Sequence, residues 1–397
     1  MPANLTQLYV QLYQYCESEG FAGHDPFDGL SSRIFQATPL GRLAPARLAW
    51  IQAVKRSPVN LRGILAVPKG INSKAIALFA SAELSRFRGT NENKHRENAR
   101  KLLEMLRAES ISGTAKNGER TTAFGYNFDW QSRAFYAPKG TRTIVPTAFA
   151  ANAFLESYQL FGDEADLDVA KQVCEFILSD LQRPHETDDE LCFSYTPGDS
   201  SLIFNSNLLA GEVLAAVGVL SGNEEFLNIS AKTARYVIRH QKENGSWTYG
   251  PKLRHSWIDN FHTAFILTSL DRTGNLVPEI KSETDEAVQR GFDYWINNFF
   301  LDDGSPKYFD TQVFPLDVHS AASAIATLSE LAKTDGRALP LAEKVMDWTV
   351  ANLHDPGGFF YYQKCRRSTT KIPFIRWGQA WMAYALAKLI ERSEFQL

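Results

Sequence analysis

Two aspartates in this chain each stand just before a histidine at the start of an apolar segment. His262 follows Asp259 by three residues, and His319 follows Asp317 by two. Histidine transfers protons readily near neutral pH, so these pairs are candidates for general acid–base catalysis. The alternatives are that the aspartates only cap helices and that each histidine is a satisfied core residue.

Other apolar segments also begin with polar or aromatic residues. Asn205 stands, like the two aspartates, where it could cap a helix. Capping does not account for Gln379, which falls inside an Ala/Leu-rich segment. We predict that the residues at and beside these starts bind substrate. They are Asn205, Asn207, Trp257, Asn260, Arg376, Trp377 and Gln379.

A dense polar and aromatic cluster, GYNFDWQSR, lies at residues 125–133. Aromatic faces pack against the C–H surfaces of sugars, and carboxylate, amide and guanidinium groups hydrogen-bond their hydroxyls. The alternative is a buried loop whose polar groups satisfy one another. The candidate site residues of this cluster are Tyr126, Asp129, Trp130, Gln131 and Arg133.

A third cluster, HDPFDGLSSR at residues 24–33, is followed by RLAWIQAVKRSP, which contains Trp50, Lys55 and Arg56. An internal salt-bridged turn of Asp25 and Asp28 with Arg33 is the favoured interpretation, since loop ion pairs are common and mostly inert. The alternative is that the carboxylate pair presents an acid or base to a site. Asp25, Asp28 and Arg56 are included as candidate substrate-binding residues.

These residues suit two reactions. Glycoside hydrolysis needs two carboxylates roughly 5–10 Å apart. Its candidates are Asp129, Asp259 and Asp317. Epimerisation or elimination needs a base and a positive group that stabilises an enolate. Its candidates are His262, His319, Tyr126 and Arg376. The sequence leaves both reactions open.

The elements that carry these residues repeat along the chain. Ala/Leu-rich segments, each typical of a surrounded inner helix, start near Thr147, Asn205, Asp259, Asp317 and Arg376. The first four are followed by amphipathic segments at 165–182, 224–241, 282–299 and 338–353, each ending in a Gly- and aromatic-rich loop.

An upstream hairpin and a helix at residues 4–19 bring the total to about twelve helices. This indicates an all-α, (α/α)6 toroid that forms a single domain over residues 1–397, with the inner helix starts at one mouth. Residues 1–72 are expected to form an N-terminal helix plus an irregular segment packed on the ring. An open solenoid is the alternative.

This pattern resembles the toroids of six-hairpin glycosidases and of related polysaccharide lyases and sugar epimerases. It is more similar to uncharacterised bacterial proteins associated with polysaccharide biosynthesis, through HDPFDGLSSRIF, RLAWIQAVKRSPVNLR, FGYNFDWQSRAFYAPKGT and WIDNFHTAFIL. Some of those proteins carry an aminolevulinate dehydratase label, but this sequence does not resemble that enzyme's β/α barrel. The resemblance implies a carbohydrate-active protein, of glycoside hydrolase, lyase or epimerase type.

The loop QKENGSW at residues 241–247 resembles the QW repeat of terpene cyclases. The DxDD acid motif is missing, and TDDEL at residues 187–191 is not a DDxxD metal site, so a structural turn is the preferred interpretation there. A ring that acts on prenyl groups and a non-catalytic glycan-binding scaffold are the two alternative functions.

Composition restricts the partners. The net charge of -3 arises from interspersed signs, which indicates no nucleic-acid or anionic-membrane surface. Zinc motifs, nucleotide-binding glycine loops and CxxC pairs are absent from the sequence, so we expect no metal and no cofactor. The apolar stretches are shorter than the ~20 residues that span a bilayer, and no signal peptide is evident. We therefore expect a cytoplasmic protein that binds a saccharide; its oligomeric state stays open.

Overall fold

The computed structural model describes residues 4–132 and 135–394. Its helices, numbered along the chain, are α1 (Leu5–Ser18), α2 (Arg33–Gln36), α3 (Ala44–Arg56), α4 (Ser73–Thr90), α5 (Asn93–Ala108), α6 (Ile144–Phe161), α7 (Glu164–Asp180), α8 (Phe204–Ser221), α9 (Glu224–Arg239), α10 (Asn260–Leu276), α11 (Lys281–Phe299), α12 (Val318–Leu331), α13 (Ala338–Leu353) and α14 (Trp381–Glu394). A six-residue π-helical turn, Ile375–Ala380, leads into α14. The repeated helices begin within three residues of the positions predicted from the sequence, when the π-helical turn is counted as the start of the last one.

Twelve of these helices form a closed ring. The inner helices α4, α6, α8, α10, α12 and α14 contact one another in chain order, and α14 contacts α4. The helices α5, α7, α9, α11 and α13 pack outside, each on the inner helix before it, and α1 packs on α14. The prediction of an (α/α)6 toroid is confirmed, and the open solenoid is excluded because the first and last elements meet.

The inner helices are surrounded by protein. Helix α8 is the one helix of the described residues that is long and apolar enough to cross a membrane by length and composition, and 78% of it is buried inside the ring. Helix α12 buries alanines on several sides, which lets its neighbours approach closely. Burial of this kind explains why these segments are apolar on more than one face.

Local sequence sets the turn from each inner to each outer helix. Gly162 and Gly222 end α6 and α8 in the left-handed conformation, with φ of 69° and 67°. The next residue in each case, Asp163 or Asn223, accepts a hydrogen bond from the first turn of the following helix. A glycine followed at once by an N-cap therefore produces a tight helical hairpin.

The loops that lead from an outer helix to the next inner helix, which we call return loops, show why α1 belongs to the outer ring. Gly245, Gly304 and Gly358 occupy equivalent turns with φ near 88°. A Cβ at these glycines would lie 2.3, 2.6 and 3.0 Å from backbone oxygens of α11, α13 and α1 respectively. Each turn thus docks on the next outer helix, and α1 takes the place after α13. The QKENGSW loop contains Gly245 and is one copy of this structural turn.

The strands are two to four residues long and lie in loops. They are β1 (Ala22–Gly23), β2 (Gly70–Ile71), β3 (Ile111–Thr114), β4 (Arg120–Ala123), β5 (Trp130–Gln131), β6 (Tyr136–Ala137), β7 (His185–Glu186), β8 (Leu191–Cys192), β9 (Leu316–Asp317), β10 (Gln363–Lys364) and β11 (Thr369–Thr370). All pairs are antiparallel: β1 with β2, β3 with β4, β5 with β6, β7 with β8, and β10 with both β9 and β11.

Residues 19–72, which we call the cover, lie across the helix N-termini of the ring. The sequence predicted an irregular segment here, but the cover contains the 13-residue helix α3. Helix α3 holds a small apolar cluster of its own with Leu30, Phe35 and Ile51, and the Phe35 and Trp50 rings stack at 4.9 Å. A short amphipathic helix is stable here because its apolar side packs within the cover and against the ring.

An ionic cluster fills the interior of the ring below the mouth. Arg272 donates to both oxygens of Glu330, at 2.6 and 2.8 Å, and to Glu212 at 2.8 Å. Ser269 donates to the other Glu212 oxygen at 2.7 Å. Only about 50 Å³ of open space remains beside these groups, which join α8, α10 and α12, against about 620 Å³ at the helix N-termini.

Docking of the return loops on the outer helices is testable with two alanine substitutions. Gly245→Ala and Gly118→Ala both force an alanine to φ near 88°, but only Gly245 has a backbone oxygen within 2.3 Å of the added Cβ; Gly118 has nothing within 4 Å. We expect Gly245→Ala to lower the free energy of unfolding by about 1–3 kcal/mol more than Gly118→Ala does. Urea unfolding measures both losses, and equal losses would contradict the docking.

Candidate active site

A cavity of about 620 Å³ lies between the cover and the N-terminal ends of the inner helices. The ring contributes residues from the first turns of its inner helices, and the cover contributes Phe27 and the inward side of α3. Polar side chains at several helix starts therefore border one cavity.

Asp259 and His262 form a hydrogen-bonded pair at the wall of this cavity. One oxygen of Asp259 accepts the backbone N–H of His262 at 2.9 Å, and the other accepts from its ring Nδ1 at 2.6 Å. The indole N–H of Trp257 also donates to Asp259, at 3.0 Å. The same carboxylate thus caps α10 and orients the imidazole. Because Nδ1 carries the proton that the carboxylate accepts, Nε2 is the unprotonated nitrogen when the ring is neutral.

His319 is held in a different way. Its Nδ1 donates to the backbone oxygen of Trp377 at 3.0 Å, and its ring stacks on the Trp377 indole at 4.1 Å. Burial, together with the positive charges of Lys74 and Arg376, lowers the pKa of His319 well below its ordinary value. The imidazole is therefore neutral at physiological pH, with Nε2 as its acceptor nitrogen.

The two histidines border the same part of the cavity. The centre of the Phe265 ring is 6.2 Å from the His262 ring and 6.1 Å from the His319 ring. Tyr249 lies 4.5 Å from His262 on another side. A ligand that packs against Phe265 would therefore lie near both imidazoles.

Asp317, predicted as catalytic, lies behind this wall rather than at the cavity. Its Oδ1 accepts the backbone N–H of His319 and the indole N–H of Trp377, both at 2.8 Å. Burial raises the pKa of the Asp317 carboxyl from 3.8 to about 6. This aspartate caps α12 and positions Trp377, which in turn supports the His319 ring.

Asp129 also lies outside the cavity. It accepts the backbone N–H of Lys139 at 2.7 Å and the hydroxyl of Tyr136 at 3.2 Å, and so holds the β5–β6 hairpin. Asp259 is consequently the single carboxylate among the described residues that line the cavity. The pair of carboxylates expected for hydrolysis is not assembled from Asp129, Asp259 and Asp317.

Of the other candidate residues in the 125–133 cluster, only some are shown to line the cavity. Tyr126, Trp130 and Gln131 line the cavity, whereas Arg133 lies outside the described residues. The Tyr126 hydroxyl is 3.1 Å from that of Tyr195. Gln131 accepts two hydrogen bonds from Arg47 of α3, at 2.9 and 2.7 Å, so it fastens the cover as well as lining the cavity.

Asn205 reaches the cavity with an unused acceptor. The N-cap residue of α8 is Ile203, so Asn205 does not cap the helix. Its side-chain oxygen is buried and has no hydrogen-bond partner within the described ranges. A buried acceptor of this kind is suited to a ligand hydroxyl. Trp257, Arg376, Trp377 and Arg56, also predicted to bind substrate, line the same cavity.

Three other predicted substrate-binding residues lie away from the cavity and hold loops. Asn207 accepts the N–H of Phe193 at 2.9 Å, and Asn260 donates to the Lys307 oxygen at 2.9 Å. Gln379 both accepts from and donates to the backbone of Phe360, at 2.8 Å each. These amides satisfy the backbone of the return loops, which explains polar residues inside apolar helices.

Asp25 and Asp28 fasten the cover instead of facing the cavity. Both oxygens of Asp25 accept from Arg376, at 2.6 and 2.8 Å, and Asp28 accepts from the buried Arg62 at 2.7 Å. The expected turn was ionic, but its partners are these two arginines rather than Arg33, which is exposed. Arg376 and Arg62 are both buried, so each holds its guanidinium group in a fixed position beside its aspartate.

The sequence prediction missed two lysines of the cavity as site residues. Lys55 of α3 and Lys74 of α4 both line it. Lys74 is the second residue of α4, the position that Asn205 holds in α8 and His319 in α12. This position in the repeat is the signal that could have identified Lys74. Within residues 4–132 and 135–394, no group of three or more His, Cys, Asp or Glu is placed to hold a metal ion.

Comparisons with known proteins concern the fold. No family model matches the chain, and neither does any curated protein. Solved structures do match. A cellobiose 2-epimerase from Bacillus thermoamylovorans is 14% identical over 82% of this chain and 88% of its own, with a TM-score of 0.63. A polysaccharide lyase is 10% identical over 100% of this chain and 99% of its own, with a TM-score of 0.64. A GH76 α-mannanase from Bacteroides thetaiotaomicron is 10% identical over 82% of this chain and 86% of its own, with a TM-score of 0.62. The chain shares the (α/α)6 toroid fold of these proteins.

The raised pKa of Asp317 makes stability depend on pH. Because the folded state keeps this proton up to about pH 6 and the unfolded chain releases it near 4, its stabilising contribution is present at low pH and is lost as the pH rises. We expect wild type to lose about 2 kcal/mol relative to Asp317→Asn between about pH 4.5 and 8, since one pKa unit is about 1.4 kcal/mol. Urea unfolding at both pH values measures this, and a constant difference would contradict it.

Proposed function

We propose that this protein is a carbohydrate-active enzyme that transfers a proton at a sugar carbon, as an epimerase, isomerase or lyase does. The observation that carries the proposal is the pair of imidazoles, His262 and His319, each with its tautomer set by a hydrogen bond at Nδ1 and both beside one cavity. Two such groups suit removal and return of a proton.

The proposed step uses groups already in place. Nε2 of one imidazole takes the proton from a carbon next to a carbonyl or carboxylate, and the C–H electron pair moves to the oxygen to give an enolate. Asp259 stabilises the imidazolium that forms if His262 is the base. In isomerisation the imidazole that took the proton returns it to the neighbouring carbon. In epimerisation the other imidazole returns a proton to the opposite face, so it enters the step as an imidazolium, and both rings exchange protons with water before the next turnover. In elimination, the electron pair expels a substituent on the adjacent carbon, and an imidazolium donates a proton to the leaving oxygen.

The cavity walls suit a sugar. The rings of Tyr249 and Trp257 stack at 4.7 Å and offer an aromatic surface beside His262. The unpaired oxygen of Asn205 would accept a hydroxyl hydrogen bond. The volume of about 620 Å³ lies within the range of about 300–1,000 Å³ of small-molecule sites.

The comparisons support this class of reaction without choosing the substrate. Two of the proteins with the same fold are named as a cellobiose 2-epimerase and a polysaccharide lyase. The mannanase in the same group is a hydrolase, but the cavity here lacks a second described carboxylate. Hydrolysis by a carboxylate pair is therefore less well supported than proton transfer.

Two finer proposals rest on the sequence motifs. The segments at residues 24–35 and 124–141 resemble proteins of polysaccharide biosynthesis, so we place the activity in that process. A location in the cytoplasm is proposed separately, because the sequence shows no evident signal peptide. The prenyl-group alternative is less suitable, because the ammonium groups of Lys55 and Lys74 would repel a carbocation intermediate.

Deuterium incorporation tests the reaction before the substrate is known. The protein is incubated in D2O with cellobiose, mannose and uronate oligosaccharides, and the sugars are followed by NMR. We expect carbon-bound deuterium in an epimerised or isomerised sugar, or a new unsaturated end in an eliminated one. Hydrolysis without deuterium at carbon, or binding without turnover across the panel, would contradict the proposal.

The histidine roles are tested with matched variants. His262→Gln should lower the rate of deuterium incorporation or elimination by about 10²–10⁴-fold, the usual contribution of a general acid–base residue. His185→Gln is the control, because His185 also contacts a carboxylate, Glu190 at 2.8 Å, but lies outside the cavity. Equal rates in His262→Gln and wild type would exclude His262 as the base.

A further inference from the structure

The cavity contains more positive than negative charge. Lys55, Lys74 and Arg56 line it together with Arg376, while Asp259 is the lone carboxylate among the described lining residues. The Arg376 charge is balanced by Asp25. An excess of cations facing a cavity favours a ligand of opposite charge.

Lys74 is the clearest case of an unbalanced cation. The residue is 3% exposed, and its ammonium nitrogen lies 4.1 Å from the centre of the Phe149 ring and 5.2 Å from those of Phe265 and Trp381. Across the described chain, no carboxylate lies within 4.0 Å of this nitrogen. Aromatic faces compensate only part of the cost of removing an ammonium group from water.

Lys55 presents a second ammonium group from the cover. Its nitrogen lies 4.1 Å from the centre of the Phe27 ring and 5.6 Å from that of Trp377. Burial lowers the pKa of Lys55 to about 8, and burial also lowers the pKa of Lys74. A negative ligand in the cavity would favour the protonated form of both lysines.

The helix arrangement adds to the positive potential. The inner helices begin at this cavity, so the partial positive charges of their N-termini point toward it. Asp259 and Asp317 already cap α10 and α12, whereas α6 and α8 have no side-chain cap, so the dipoles of α6 and α8 remain to favour an anion. The lysine charges and the helix dipoles therefore act in the same direction.

We propose that the sugar bound in this cavity carries an anionic group, a carboxylate or a phosphate, and that Lys74 of the ring binds that group, while Lys55 of the cover adds to the positive potential of the cavity. The sugar part of this proposal rests on the proposed function; the anion part rests on the buried Lys74, which has no paired carboxylate in the described chain.

Binding measurements with matched ligands test the anion part. Calorimetry compares glucuronate and galacturonate with their neutral amides, and glucose 6-phosphate and mannose 6-phosphate with glucose and mannose. We expect at least one acid to bind about 10- to 100-fold more tightly than its neutral counterpart, the effect of one or two charge-assisted hydrogen bonds. The preferred series distinguishes a carboxylate from a phosphate.

Lys74→Met is the decisive variant, since an apolar side chain of similar length fits the aromatic surroundings and preserves folding. It should remove the preference for the acid over its neutral counterpart. Lys116→Met, at an exposed turn, is the control for net charge. Equal binding of acids and neutral sugars by wild type, or an unchanged preference in Lys74→Met, would overturn the proposal. Inorganic phosphate or acetate binding as tightly as any sugar acid would also overturn it.

The two proposals fail separately. Tight binding of a sugar acid, with no deuterium incorporation or elimination, would contradict the proton-transfer function and keep the anion site. Deuterium incorporation into neutral sugars alone, with no preference for acids, would support proton transfer and contradict the anion site.

Discussion

The inner helices of this ring are apolar around most of their circumference, so each must be surrounded by protein to be stable. Closure meets this requirement, because α14 packs against α4 and α1 covers the outside of α14. Polar groups are then tolerated mainly near the ends of the inner helices or in paired clusters such as that of Arg272. The concentration of polar side chains at one mouth is a direct consequence of this burial.

Helix capping and the organisation of the site are the same interactions here. Asp259 satisfies the first turn of α10 and orients the His262 ring. Asp317 satisfies the first turn of α12 and holds the Trp377 indole, on which the His319 ring stacks. Because each carboxylate is fixed by backbone geometry, the imidazoles are positioned before any ligand binds, which is how a rigid site limits the cost of reorganisation.

The cover makes the cavity a joint product of two distant parts of the chain. Asp25 and Arg376 are 351 residues apart in sequence, and their ion pair ties the cover to the π-helical turn that carries Trp377. Helix α3 then brings Lys55 over the ring mouth. Loss of this attachment would open the cavity and remove one of its two lysines, so the cover belongs to the site as much as the ring does.

The sequence by itself determined the helices and their order, because apolar periodicity and Gly–Asn or Gly–Asp turns act over a few residues; the outer helix predicted at 224–241 is found at Glu224–Arg239. Only the tertiary structure decided which polar residues reach the cavity. Asn205 reaches it and Asn207 does not, although both begin the same helix. Whether a residue at a helix start faces the cavity depends on loops and on the cover, which come from elsewhere in the chain. The sequence near that residue does not determine those long-range contacts.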